Sequence, residues 1–274
     1  MTGTPASWRP FAGDLLVATL FAPATDTRRR LIVTFGHRAP DPGHLPPAEP
    51  VKRFLRAGWS HLHIQSRWND WYVNPETEAL CTALTPLTAR FRHVAAIGFS
   101  MGAYAALRLS AALNLTEVIA VSPQYSIHPD VVPFDRRFHA DSAGFDPNLG
   151  DLARHARRGL QGVVIHDPFR PLDARNAALI GAVLPELPLC RFGFGGHPAT
   201  AVIRETVKFG AVQDLILGGD ASRARIAALH RDNRAQSPTW WRGLAERAAT
   251  TGRSRLAALA QSRASSLDAA GDSP

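Results

Sequence analysis

The residues of this chain that could do chemistry together are a serine, a pair of aspartates and a histidine, met in that order. Ser100 sits in Gly98-Phe99-Ser100-Met101-Gly102, between the apolar run Val94-Ala95-Ala96-Ile97 and the helix-forming run Ala103 to Leu109. A strand that turns sharply into a helix at G-x-S-x-G is a nucleophile elbow, which strains the serine backbone and lifts its hydroxyl above a sheet. Glycine is needed on both sides because a side chain there would strike the facing strand and helix backbones. Serine alone is a poor nucleophile. A histidine must take its proton, a carboxylate must hold that imidazole in the right tautomer, and backbone N–H groups must meet the developing oxyanion.

The base and the acid follow downstream. His197 ends the glycine-rich stretch Arg191-Phe192-Gly193-Phe194-Gly195-Gly196-His197-Pro198, just past a strand-like run. That location is the C-terminal edge of a sheet, where open α/β sheets collect their catalytic groups. Two aspartates compete as its partner in Val164-Ile165-His166-Asp167-Pro168-Phe169-Arg170-Pro171-Leu172-Asp173. Asp167 follows the strand directly and begins a D-P-x-x-P run. Asp173 starts the next helix, where a capping role worth roughly 1 kcal/mol would account for it. The preferred acid is therefore Asp167, with Asp173 as the alternative.

Taken together, these three stretches resemble the α/β-hydrolase superfamily across about residues 13–218. The resemblance implies an α/β fold: a three-layer, mainly parallel sheet with helices on both faces. It implies acyl transfer through a covalent acyl-Ser100 intermediate, without a cofactor or metal. It also implies two oxyanion-hole donors: the N–H of Met101, after the nucleophile, and one from the loop after an early strand, at His37 or Arg38, with His37 assigned here. The superfamily usually separates the late strand from its acid by a glycine and a short turn, whereas Asp167 abuts the strand. Water as acceptor gives an esterase or thioesterase, and an alcohol or amine gives an acyltransferase. The chain further resembles bacterial hydrolases associated with surface polysaccharides or their acyl groups. The rival class is a non-catalytic scaffold of this fold that binds a protein partner through its C-terminal helices.

The elements that must position these groups alternate in type. Strands are expected over residues 15–21, 30–35, 59–65, 94–97, 117–122, 162–166 and 187–192, and helices over 51–57, 76–91, 103–109, 173–184 and 199–217. Pro86 should kink or interrupt its helix. A turn is expected over 23–27. Such alternation predicts a mainly parallel sheet with helices on both faces. Residues 123–161 lack a period and read as an insertion or lid. The hydrolase-like domain is expected to span residues 1–219, followed by a helical appendage at 220–264 and a disordered tail at 265–274. In the appendage Trp241, Leu244, Ala245, Ala248, Gly252, Ala257 and Ala264 fall on spacings like those of one tetratricopeptide unit. A single such unit cannot bury its own apolar face, so it must dock on the main domain or on a partner.

Bulk properties narrow the class. Apolar residues make up 45% and charged residues 20% of the 274, ordinary values for a globular protein. No run approaches the ~20 apolar residues of a bilayer span, and the first ten residues lack a signal-peptide pattern, so a cytoplasmic protein is expected. The two cysteines, Cys81 and Cys190, suggest buried thiols. The net charge of +8 rests on arginine, Lys52 and Lys208 being the only lysines. No basic run is interleaved with aromatics, so nucleic acid is not an expected partner. The expected ligand is a small-molecule or carbohydrate-linked acyl substrate. Phe99, Trp68, Trp71 and Tyr72 are candidate lining residues. His61 and His63 share one strand face without a third ligand, and Arg136, Arg137 and Arg170 read as solvated charge.

Overall fold

The computed structural model describes residues 6–23 and 29–271; residues 24–27 of the turn expected at 23–27 and residues 272–274 of the tail lie outside them. The strands are β1 (Ser7–Ala12), β2 (Leu16–Phe21), β3 (Arg30–Phe35), β4 (Ser60–Ser66), β5 (His93–Phe99), β6 (Glu117–Val121), β7 (Gln161–His166) and β8 (Leu189–Arg191). The helices are α1 (Lys52–Arg56), α2 (Thr77–Thr88), α3 (Met101–Arg108), α4 (Leu152–His155), α5 (Pro171–Val183), α6 (Ala201–Thr206), α7 (Gly210–Gly218), α8 (Arg223–Asn233), α9 (Pro238–Thr250) and α10 (Ser254–Gly271). The strands form one sheet in the order β1-β2-β4-β3-β5-β6-β7-β8, with β1 and β2 antiparallel at one edge and every pair from β4/β3 to β7/β8 parallel.

Side chains of the central strands alternate between two cores. Leu31, Val33, Val94, Ala96, Val118, Ala120 and Val164 face one core with residues of α2, α3 and α5, while Ile32, Ala95, Ile97, Ile119, Val121, Val163 and Ile165 face the other with residues of α1, α6, α7 and α8. The two-residue repeat of a strand thus feeds both layers at once, which is why these strands read as unbroken apolar runs. The chain is a three-layer α/β structure with a helical appendage, as the sequence predicts.

Some expectations need correction. The single helix expected over 199–217 is two, α6 and α7, because Lys208 adopts a left-handed conformation (φ 62°) between them. Next to it Phe209 packs edge-on against Phe99, ring centroids 4.9 Å apart. Pro86 does not interrupt α2; the helix passes it and stops two residues later. Residues 265–271, expected in a disordered tail, continue α10: Ala260 and Ala264 are buried and Arg242 of α9 bonds Asp268 at 2.7 Å. Strand β1 has no counterpart in the sequence reading.

The appendage docks on the main domain. Gly243 of α9 lies so close to Phe194 that a Cβ there would come within 2.5 Å of the ring. Glu205 of α6 accepts hydrogen bonds from Ser237 and Thr239 at the start of α9. Among the described residues no helix is long and apolar enough to cross a membrane.

The elbow leaves no room for a side chain on either glycine. A Cβ on Gly98 would sit 2.2 Å from the Gly102 carbonyl oxygen, and one on Gly102 would sit 2.9 Å from the Phe35 Cβ. Gly98→Ala should therefore overpack the β5–α3 turn and cost about 1–3 kcal/mol. Its thermal midpoint, followed by circular dichroism, should fall by several degrees; an unchanged midpoint would show that the turn can relax.

Candidate active site

Three loops at the C-terminal edge of the parallel strands bring the site together. Ser100 follows β5 with φ 48° and ψ −115°, a positive φ that a non-glycine residue takes only where the surroundings force it. Its N–H bonds the Val121 carbonyl at 2.8 Å, which ties the elbow to β6. His197, after β8, places Nε2 2.9 Å from the Ser100 hydroxyl. His197 Nδ1 lies 2.8 Å from an oxygen of Asp173, which follows β7 in the first turn of α5. Serine, imidazole and carboxylate thus form one hydrogen-bonded chain, with the His197 side chain 16% exposed and that of Asp173 1%.

The partner of His197 is Asp173, not the preferred Asp167. Asp167 is committed elsewhere: one oxygen accepts the N–H groups of Phe169 (2.9 Å) and Phe194 (3.1 Å), the other that of Gly196 (3.0 Å). The bonds to Phe194 and Gly196 clamp the loop in front of His197, where both residues have positive φ. Asp167 therefore shapes the loop that Asp173 then orients. Nor does Asp173 cap its helix. The N-cap is Arg170, with no side-chain cap bond, and Asp173 sits within the first turn, where the helix dipole favours an anion.

An arginine reaches Asp173 from the segment expected as a lid. Residues 136–142 form a 3-10 turn within it. Arg137 there donates one N–H to the free oxygen of Asp173 (2.7 Å) and forks onto both oxygens of Asp135 (2.8 and 2.7 Å). Asn176 of α5 closes the network by bonding Asp135 at 2.8 Å. Burial pushes the Asp173 carboxyl upward, but hydrogen bonding and charge from His197 and Arg137 outweigh it and hold the group below the usual carboxylate range. Asp135 is lowered in the same way: burial raises it, and Arg137 and Asn176 more than compensate. Arg137 is thus not solvated charge, and nothing in its local sequence signals its partners.

The oxyanion candidates flank Ser100. Met101 is the first residue of α3, so its N–H has no intrahelical acceptor. His37 follows Gly36, whose carbonyl oxygen lies 3.2 Å from where a Gly102 Cβ would be, so this loop borders the elbow. The Arg38 side chain is turned to Asp141, at 2.8 Å.

The aromatic candidates separate. Trp71 and Tyr72 are fully buried and cannot line a substrate pocket. Tyr72 donates its hydroxyl to the carbonyls of Gly36 and Ile64, and Trp71 Nε1 donates to the Gln124 side chain at 2.9 Å. Phe99 is occupied by Phe209, and Trp68 is the one of the four that is widely exposed. Gln124, which the sequence did not single out, is fully buried with its amide 3.4 Å from the Ser100 hydroxyl. Phe138, beside Arg137, holds its ring centroid 6.3 Å from that of His197. The hydroxyl of Ser122 bonds the Ala199 N–H at 3.0 Å and anchors the far side of the His197 loop.

His61 and His63 share the Thr34 hydroxyl, at 2.7 and 2.8 Å. Burial lowers both, to about 3 for His61, with the charge of His63 adding to it, and to about 4 for His63, with that of His37 adding. Among the described residues no group of three or more His, Cys, Asp or Glu could hold a metal ion.

No protein-family model and no curated protein matches this chain. Solved structures do. It is similar to the acylaminoacyl peptidase of Pyrococcus horikoshii, with 15% identity over 77% of this chain and a TM-score of 0.50, though it spans only 41% of that protein. Est1E from Butyrivibrio proteoclasticus matches with 12% identity over 79% of this chain and 99% of its own, TM-score 0.49. The capsule O-acetyltransferase of Neisseria meningitidis serogroup A matches with 13% identity over 64% of this chain and 84% of its own, TM-score 0.46. The chain has the α/β-hydrolase fold.

Removing Arg137 should test the network around the acid. Both aspartates have depressed folded-state values, so the stability they contribute is present above the ordinary carboxylate range and lost as pH falls below it through those lowered values. Arg137→Met leaves two buried carboxylates without their cation and should cost about 3 kcal/mol near neutrality. In denaturant titrations the deficit should shrink as the pH drops below about 4. A deficit equal at both pH values would assign the loss to packing instead.

Proposed function

We propose that this α/β-hydrolase-fold chain is a serine acyl hydrolase, cleaving an ester or thioester with Ser100 as nucleophile, His197 as base and Asp173 as acid. The observation that carries the reading is the unbroken chain from the Ser100 hydroxyl through both nitrogens of His197 to a buried carboxylate. A non-catalytic scaffold would have no need to hold a serine at φ 48° against two such partners.

The steps follow from that geometry. His197 Nε2 takes the hydroxyl proton as Ser100 Oγ attacks the acyl carbon. Asp173 fixes the Nδ1–H tautomer and balances the imidazolium that forms. The N–H groups of Met101 and His37 meet the oxyanion. Collapse of the tetrahedral species expels an alkoxide or thiolate, to which His197 returns the proton. Water then attacks acyl-Ser100 by the same route in reverse, and the partial exposure of His197 supports water as the acceptor. Phe138 and the exposed Trp68 are proposed to border the acyl site.

A fluorophosphonate probe should label the wild-type protein and not Ser100→Ala, because it modifies activated serines only. With a short p-nitrophenyl ester, Asp173→Asn should lower kcat by about 10³–10⁴-fold, the order seen when a triad loses its acid. Asp167→Asn should act mainly on the thermal midpoint, through the backbone bonds it loosens. Equal labelling of wild type and Ser100→Ala would reject the enzyme reading, and a larger kcat loss for Asp167→Asn would return the acid role to that residue.

A further inference from the structure

The appendage leaves a cavity of about 430 Å³ where α9 and α10 meet the loops after β7 and β8. Arg191, Arg234, Arg247 and Arg253 line it, and no acidic residue does. The ion pairs of the surrounding surface are made by other arginines: Arg225 with Asp220, Arg231 with Asp232, Arg242 with Asp268. Four guanidinium groups around one cavity repel one another unless an anion enters, so their arrangement raises the local potential for a negative ligand.

Two of the four are held in place by rings. Arg234 stands 5.2 Å above the Trp240 ring centroid and Arg247 4.6 Å above that of Phe169. Phe169 is itself stacked on Phe194, with centroids 4.3 Å apart and planes 15° from parallel. A ring beneath the guanidinium carbon attracts the cation without consuming an N–H donor in a hydrogen bond. The N–H donors form the fork that binds phosphate oxygens in pairs. The rest of the wall is mostly apolar, with Leu244 and Leu256 among it and His230 and Thr251 as its polar members.

We propose that this cavity binds an organic phosphate of the nucleoside di- or triphosphate class, its phosphates on the arginines and its ring against the apolar wall. Several negative charges on one small ligand answer four arginines better than the single carboxylate of an acidic sugar. The volume lies within the range of ordinary small-molecule sites. Ser100, Asp173 and His197 are not among its lining residues, so the proposal stands whether or not the acyl hydrolase reading does.

Isothermal titration of the full chain with ADP and ATP tests this, with adenosine, inorganic pyrophosphate and glucuronate as controls. ADP should bind, more weakly as salt rises, and more tightly than every control. Arg234→Ala/Arg247→Ala should weaken ADP at least about tenfold, a loss of roughly 1.4 kcal/mol. Ser100→Ala should bind as wild type does. Arg191→Ala, on an exposed strand end, is the second variant, and each variant's thermal midpoint without ligand reports whether it has folded. No binding of ADP at about 1 mM would overturn the proposal, since that is the weak end of specific affinity. So would full affinity in both folded arginine variants, or pyrophosphate or glucuronate binding as tightly as ADP.

Discussion

The position of His197 depends on the two backbone N–H groups, of Phe194 and Gly196, that Asp167 accepts from its loop. A glycine-rich loop has many conformations of similar energy, and one must be selected before an imidazole on it can meet a hydroxyl within hydrogen-bonding distance. A buried carboxylate saturated by backbone donors performs that selection, because leaving either side unpaired in a dry site is costly. Ser122 does the same from the opposite end through Ala199. His197 hangs between two fixed points before Asp173 or Ser100 touches it.

This division of labour explains which parts of the site were legible. Ser100 and His197 were readable because each is embedded in glycines whose spacing follows from steric exclusion, and exclusion leaves a mark on local sequence. The two aspartates were both visible, but choosing between them was not possible at that level. An aspartate that bonds backbone and one that bonds an imidazole have the same neighbours in sequence, and only the path of the intervening loop tells them apart. Arg137 was less visible still, since its partners Asp135 and Asp173 come from different segments and meet only in the folded chain. Trp71 and Tyr72 were misplaced for a related reason. An aromatic cluster after a strand looks alike whether it faces a ligand or braces a loop from beneath.

The layers, by contrast, were nearly all readable, because burial on both faces of a parallel strand writes itself as a continuous apolar run. The misreadings occurred where a local rule was overridden. Lys208 accepts a left-handed backbone that breaks an otherwise helical pattern, and Phe209 beside it fills the space next to Phe99. The final residues have no apolar stripe to announce a helix, yet packing of small residues and one ion pair to α9 extend it to Gly271. In both places a tertiary contact outweighs propensity.

The contact between Gly243 and Phe194 has a consequence for how this chain can vary. Phe194 donates its N–H to Asp167 and touches α9 with its ring, so it is shared by the His197 loop and the appendage. A larger residue at position 243 would press on that ring, and the pressure would be passed to the loop that carries His197. The boundary near residue 220 therefore marks a change of composition and not a mechanical joint. The C-terminal hairpin is bound by the geometric tolerances of the hydrogen-bonded chain from Ser100 through His197 to Asp173, although it contributes no atom to it.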